Sequence, residues 1–136
     1  MKLNLIVISA IMLLFPLSLS AQQQDGQDVA ERAAQETERL QRTLKLDDGQ
    51  AFYVDSTLQH DLGAIVAEFE KMQASKISNV SLYQEIQDKW MDQIDATYKK
   101  IFTEEQWTAY LKTAGKAIKA REKRRAKAAG NNGKKK

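Results

Sequence analysis

Six apolar residues recur at helical spacing through the middle of this chain. Val54, Leu58, Leu62, Ile65, Phe69 and Met72 step by four, four, three, four and three. That spacing draws one continuous apolar stripe along a helix, predicted from Asp48 to Ala74. At 1.5 Å per residue such a helix is roughly 40 Å long. Nothing after Pro16 can break it, because the rest of the chain has no proline. Gly63 inside the stripe costs about 1 kcal/mol in propensity. It marks either a close helix crossing or bend, or a tolerated surface glycine.

Three further helices follow from the same reasoning. Val29, Ala33, Thr37, Leu40 and Leu44 give a thin face, which predicts a short helix from about Asp28 to Thr43 that orders against a partner surface. After the break at "SKISN", Ser81 with Gln84 three residues on predicts the cap of a third helix. Its stripe is Leu82, Ile86, Trp90, Ile94, Tyr98 and Ile101. The other face carries Glu85, Asp88, Asp92 and Asp95. It reads as a solvated acidic face or, more sharply, as a docking strip for the basic tail or a cation. A straight row of carboxylates surrounds an ion poorly. A fourth helix opens at Thr103, with Trp107, Tyr110, Leu111, Ala114 and Ile118 along one edge. It is predicted to fray at Gly130 and to end in a disordered "GNNGKKK".

The chain ends carry signals of another kind. Lys2, the 13-residue apolar run "LNLIVISAIMLLF" and the small residues of "LSLSA" are laid out as a secretory signal peptide. The run is short of the ~20 residues that span a bilayer, and an uncleaved anchor is the alternative reading. The division expected is 1–21 signal peptide, 22–45 polar lead-in with the short helix, 46–118 helical domain, and 119–136 basic tail, partly disordered. Export into the periplasm follows from the signal. The chain has no cysteine, so neither a lipoprotein anchor nor a disulfide is available.

The net charge of +3 hides an asymmetry. Lys112–Lys136 holds eleven Lys or Arg against Glu122, whereas Ala21–Leu111 holds nine Lys or Arg against seventeen acids. A basic tail on an acidic body implies electrostatic contact, internal or with an acidic partner. Lys123, Arg124, Arg125 and Lys127 are the candidate contact residues. Export argues against nucleic acid as that partner.

Two short phrases open helices with the same chemistry. In "LDDGQ" (Leu46–Gln50), Asp47 takes the N-cap and Gln50 the third helical position. In "FTEEQ" (Phe102–Gln106), Thr103 and Gln106 take those roles. Each predicts a capping box, in which the cap side chain and the Gln side chain satisfy each other's backbone N–H. Leu46 and Phe102, just before the caps, are placed to staple onto Ala51 and Trp107.

The repeated phrase, in an exported, cysteine-free helical chain, resembles the Leu-Thr-x-x-Gln motif of the Spy/CpxP periplasmic family. The matched positions are Leu46, Asp47 and Gln50, then Phe102, Thr103 and Gln106. Asp47 stands for the family's Thr, and Phe102 for its Leu; both keep the physical role. The resemblance spans about Leu46 to Leu111. It implies an all-α fold with a long antiparallel helical hairpin and shorter flanking helices, assembled as a cradle-like homodimer. It also implies ATP-independent chaperone action on unfolding envelope proteins, or regulation of an envelope-stress sensor. Metal sensing in the wider group relies on His, Met and carboxylates. His60 is the only histidine here, so no metal or other cofactor is expected.

Enzymatic chemistry is not expected. The chain has no cysteine nucleophile, a single histidine and no Gly-rich phosphate loop. The leading expectation is a holder of unfolding envelope proteins. The alternative is a structural or regulatory adaptor whose basic tail binds an anionic envelope surface or a sensor.

Overall fold

A computed structural model describes residues 20–133. The signal peptide expected at 1–21 lies almost wholly outside the described residues, as do the last three lysines. Four helices follow one another: α1 (Ser20–Leu44), α2 (Asp48–Ala74), α3 (Val80–Ile101) and α4 (Glu104–Asn132). The described residues form an all-α fold of antiparallel neighbours, α1 on α2, α2 on α3, and α4 on α3 with a lighter contact to α1. The α1–α2 and α3–α4 turns therefore lie at one end. The α2–α3 turn lies at the other.

The central helix has the bounds that its stripe predicts. Val54, Leu58, Ile65 and Met72 are buried, while Leu62 and Phe69 are half-buried. A Cβ added at Gly63 would meet nothing within 4 Å, so no close crossing requires that glycine.

The flanking helices depart from expectation. They are not short: α1 has 25 residues and α4 has 29, against 27 and 22 for α2 and α3. α1 begins eight residues before Asp28, because the Gln-rich lead-in favours helix and holds no breaker but Gly26. Its thin face is buried within the chain's own core through Ala33, Leu40 and Leu44, so no second chain is needed to order it. α4 runs past Gly130 to Asn132 instead of fraying.

The third helix is capped by Asn79, not Ser81. Asn79 lies in an extended conformation and its side chain accepts the Ser81 N–H at 2.9 Å. Ser81 is thereby inside the helix, and the Gln84 amide goes to Asp88 at 3.0 Å. The turn before it closes by backbone bonds. Ile77 N–H donates to Met72 O and Lys76 N–H to Gln73 O, both at 2.9 Å. Those two bonds form a Schellman stop, and they hold Lys76 at a φ of 55°.

The core gathers at the end holding the α1–α2 and α3–α4 turns. Leu40, Leu44, Leu46, Val54, Leu58, Ile94, Tyr98, Phe102 and Tyr110 form one buried cluster there. Toward the α2–α3 turn the apolar stripes continue with less to cover them. Leu82, the first residue of the α3 stripe, is exposed.

Candidate functional site

The two similar phrases meet in space. Both capping boxes form. Asp47 Oδ1 accepts the Gln50 N–H at 2.7 Å, and Gln50 Oε1 accepts the Asp47 N–H at 3.1 Å. Thr103 Oγ1 accepts the Gln106 N–H at 3.2 Å, and Gln106 Oε1 accepts the Thr103 N–H at 2.9 Å. Because each cap N–H fixes Oε1, each amide turns its Nε2 outward, toward the other box.

There the glutamines exchange bonds. Gln50 Nε2 donates to Gln106 Oε1 at 2.7 Å, and Gln106 Nε2 donates to Gln50 Oε1 at 3.2 Å. Each also reaches the backbone two residues before the opposite cap: Gln50 to Ile101 O at 3.0 Å, Gln106 to Lys45 O at 3.4 Å. Every donor and acceptor site of both amides is used. The junction has an approximate local two-fold symmetry that the helices beyond it do not share.

The apolar members of the phrases anchor the same place. Leu46 and Phe102 are both buried. The Phe102 ring has Tyr98 and Tyr110 as aromatic neighbours. It stacks on Tyr98 at 5.0 Å and meets Tyr110 edge-on at 5.8 Å. Trp107 lies against Tyr110, with Lys99 Nζ 6.0 Å from its ring.

The acidic strip of α3 is not a solvated face. Three of its four members receive arginines from α4. Arg124 grips Asp88 in bidentate fashion, with Nε at 2.6 Å and Nη2 at 2.8 Å. Asp92 accepts Arg121 Nε at 2.8 Å and pairs with Arg125 Nη1 at 2.9 Å. Asp95 accepts from Arg121 Nη2 and, at 2.6 Å, from the Tyr110 hydroxyl. Glu85 stays exposed. The Arg124 guanidinium holds the Asp88 carboxyl below the usual aspartate range, whereas burial pushes that of Asp95 up.

Of the four tail residues expected to contact a partner, Arg124 and Arg125 are therefore committed within the chain. Lys123 and Lys127 are exposed, with no ion pair among the described residues. Sequence reasoning missed Arg121, the most buried rung, at 5% exposure. Its signal was present: Arg121, Arg124 and Arg125 share one face of α4, in antiparallel register with Asp95, Asp92 and Asp88.

On α2, His60 is largely exposed but its neighbour Asp61 is buried. His60 Nδ1 lies 2.7 Å from Asp61 Oδ1. No cluster of three or more metal-ligating side chains occurs among the described residues. Farther along, Glu68 ties α2 to α3 by accepting from Trp90 Nε1 at 2.8 Å and Lys89 Nζ at 3.0 Å. Those two donors hold its carboxyl below the usual range.

Large apolar side chains remain uncovered at both ends. Val80 is 79% exposed beside Ile77 and Leu82, each at 39%, around the α2–α3 turn. A groove of about 530 Å³ runs from Val80 past Gln84 and Asp88 to Arg124, Arg125 and Ala128. At the opposite end, Phe52 and Tyr53 are 67% and 61% exposed, their rings 5.7 Å apart. Among the large aromatics, Tyr98 and Tyr110 are buried. Phe69, Tyr83, Trp90 and Trp107 are half-buried.

No helix among the described residues is long and apolar enough to cross a membrane. The chain matches no protein-family model, no curated protein and no solved structure in the comparisons made.

Proposed function

We propose that this chain is an exported, ATP-independent holder of unfolding envelope proteins, working as a homodimer in the periplasm. The observation that carries the reading is the uncovered apolar tip. Ile77, Val80 and Leu82 stand exposed around the α2–α3 turn, close in sequence to Lys76, Glu85 and Lys89. A surface mixing apolar and charged groups suits weak, nucleotide-free holding of chains that expose both. The repeated capping phrase adds the family resemblance.

The test is aggregation of a chemically denatured client without ATP. The protein at near-stoichiometric ratio should suppress it, and Val80→Asp with Ile77→Asp should weaken the suppression. No suppression at several-fold excess overturns the reading. Sedimentation of the same samples reads the dimer.

A second reading, an adaptor contacting an anionic envelope surface or sensor, is favoured by Lys123 and Lys127. Both are exposed with no ion pair among the described residues. Salt separates the two, because contact through exposed charge weakens with ionic strength and apolar holding does not.

A further inference from the structure

Helix α4 sorts its cations by type and by face. Its arginines, Arg121, Arg124 and Arg125, all turn toward α3 and pair with Asp88, Asp92 and Asp95. Its lysines, Lys112, Lys116, Lys119, Lys123 and Lys127, are spaced four, three, four and four. At 3.6 residues per turn they fall within an arc of about 80°, opposite the arginines. All five are exposed, and none has an ion pair among the described residues. The stripe runs roughly 22 Å along the helix. The stripe is flanked by the small residues Gly115, Ala120 and Ala126 and, on one edge, by the exposed Glu122.

We infer that this lysine stripe is an adsorption surface for an anionic lipid bilayer. Charge complementarity gives the sign of the partner, and the residue type gives its kind. Site-specific phosphate or carboxylate recognition favours the planar, bidentate guanidinium. On this helix every arginine is already held by an aspartate. What faces outward is a straight row of flexible point charges, which fits a laterally mobile sheet of headgroups better than a defined anionic ligand. With no bulky apolar side chain on that face, the helix lies on the headgroups and does not insert. The inference sharpens the adaptor reading and is independent of client holding.

The experiment is lysine footprinting of the full chain, by amine modification and mass spectrometry, on vesicles. One set is zwitterionic phosphatidylcholine; the other contains about one-third phosphatidylglycerol. The apolar stretch 3–15 can enter either vesicle, so the readout is the difference between the two sets. Anionic vesicles should protect Lys112, Lys116, Lys119, Lys123 and Lys127 at low salt, while Lys71 on α2 stays reactive. Protection should disappear at high salt. Each lysine near an anionic leaflet strengthens binding about fivefold. Changing all five to Gln should therefore lower the preference for anionic over zwitterionic vesicles by at least about a hundredfold, with helicity kept. Equal reactivity on both vesicle types overturns the inference. Protection by soluble inorganic polyphosphate but not by anionic vesicles also overturns it, and leaves the adaptor reading standing. Protection by neither removes both.

Discussion

The end where the two similar phrases meet and the seam between α3 and α4 are built on opposite principles. At the first, Leu40, Leu44, Leu46, Tyr98, Phe102 and Tyr110 are buried together under a closed set of amide bonds. Burying a large apolar side chain stabilises by about 1.5–3 kcal/mol. At the seam, the only buried residues of α4 are Tyr110 and Arg121. Ala114 and Ile118 pack half-buried against the core, and ion pairs hold the rest. The desolvation of a buried pair offsets much of its attraction, and exposed pairs such as Arg125–Asp92 contribute about 0–1 kcal/mol. The comparison predicts that α4 beyond Ala114 opens more easily than the apolar end.

The largest expected effect breaks the apolar end. Phe102→Ala should cost about 4 kcal/mol, read as a shift in the urea midpoint. Helices α1 to α4 should lose protection together, with little dependence on salt. Next is Arg121→Ala, which strands Asp95 in a buried site. The cost is about 3 kcal/mol, and here it should be local. Hydrogen exchange should quicken in α4 beyond Ala114 while α2 keeps its protection. Equal loss in α2 would erase the contrast between the two regions.

The glutamine junction comes third. Gln50→Ala and Gln106→Ala each leave backbone groups short of a partner, at about 1–2 kcal/mol apiece. A double-mutant cycle should return a coupling of about 1 kcal/mol. Additivity would show that each amide serves only its own helix.

The smallest effect sharpens the seam. Asp88 has a lowered folded-state value. Its contribution is present above the ordinary aspartate value of about 3.9 and fades as pH falls through the lower folded value. Asp95 has the opposite sign, because burial raises it. It favours the fold when protonated, and that preference fades as pH rises through the raised value. Asp88→Asn should therefore cost less than about 1 kcal/mol at neutral pH. In acid denaturation series the difference from the unaltered chain should begin to shrink below pH about 3.9 and vanish only below the lowered folded value.

Much of the frame was legible because it rests on local rules. The α2 stripe fixed that helix to its terminal residues, and both capping boxes follow from side chains three residues apart. Other features depend on contacts far along the chain. The meeting of Gln50 with Gln106 requires knowing that both turns lie at one end. The Asp88–Arg124 rung requires knowing that α4 folds back along α3. Ser81 misled because Asn79, two residues earlier, is an equally good cap, and spacing alone does not choose between them. The exposure of Phe52, Tyr53 and Val80 was not legible either, since each type is ordinarily buried and only the finished packing shows what covers it.

The paired glutamines also bear on the order of folding. The exchange joins residues 56 positions apart. Each amide must first be turned by its own helix start, and the α2–α3 hairpin must already have brought the two starts together. The exchange is thus expected to form late, with Gln50→Ala and Gln106→Ala speeding unfolding and leaving the folding rate nearly unchanged. A contact of that kind hardly alters how fast the chain folds, but it governs how slowly the finished structure comes apart. Slow opening of that kind is durability maintained without energy input.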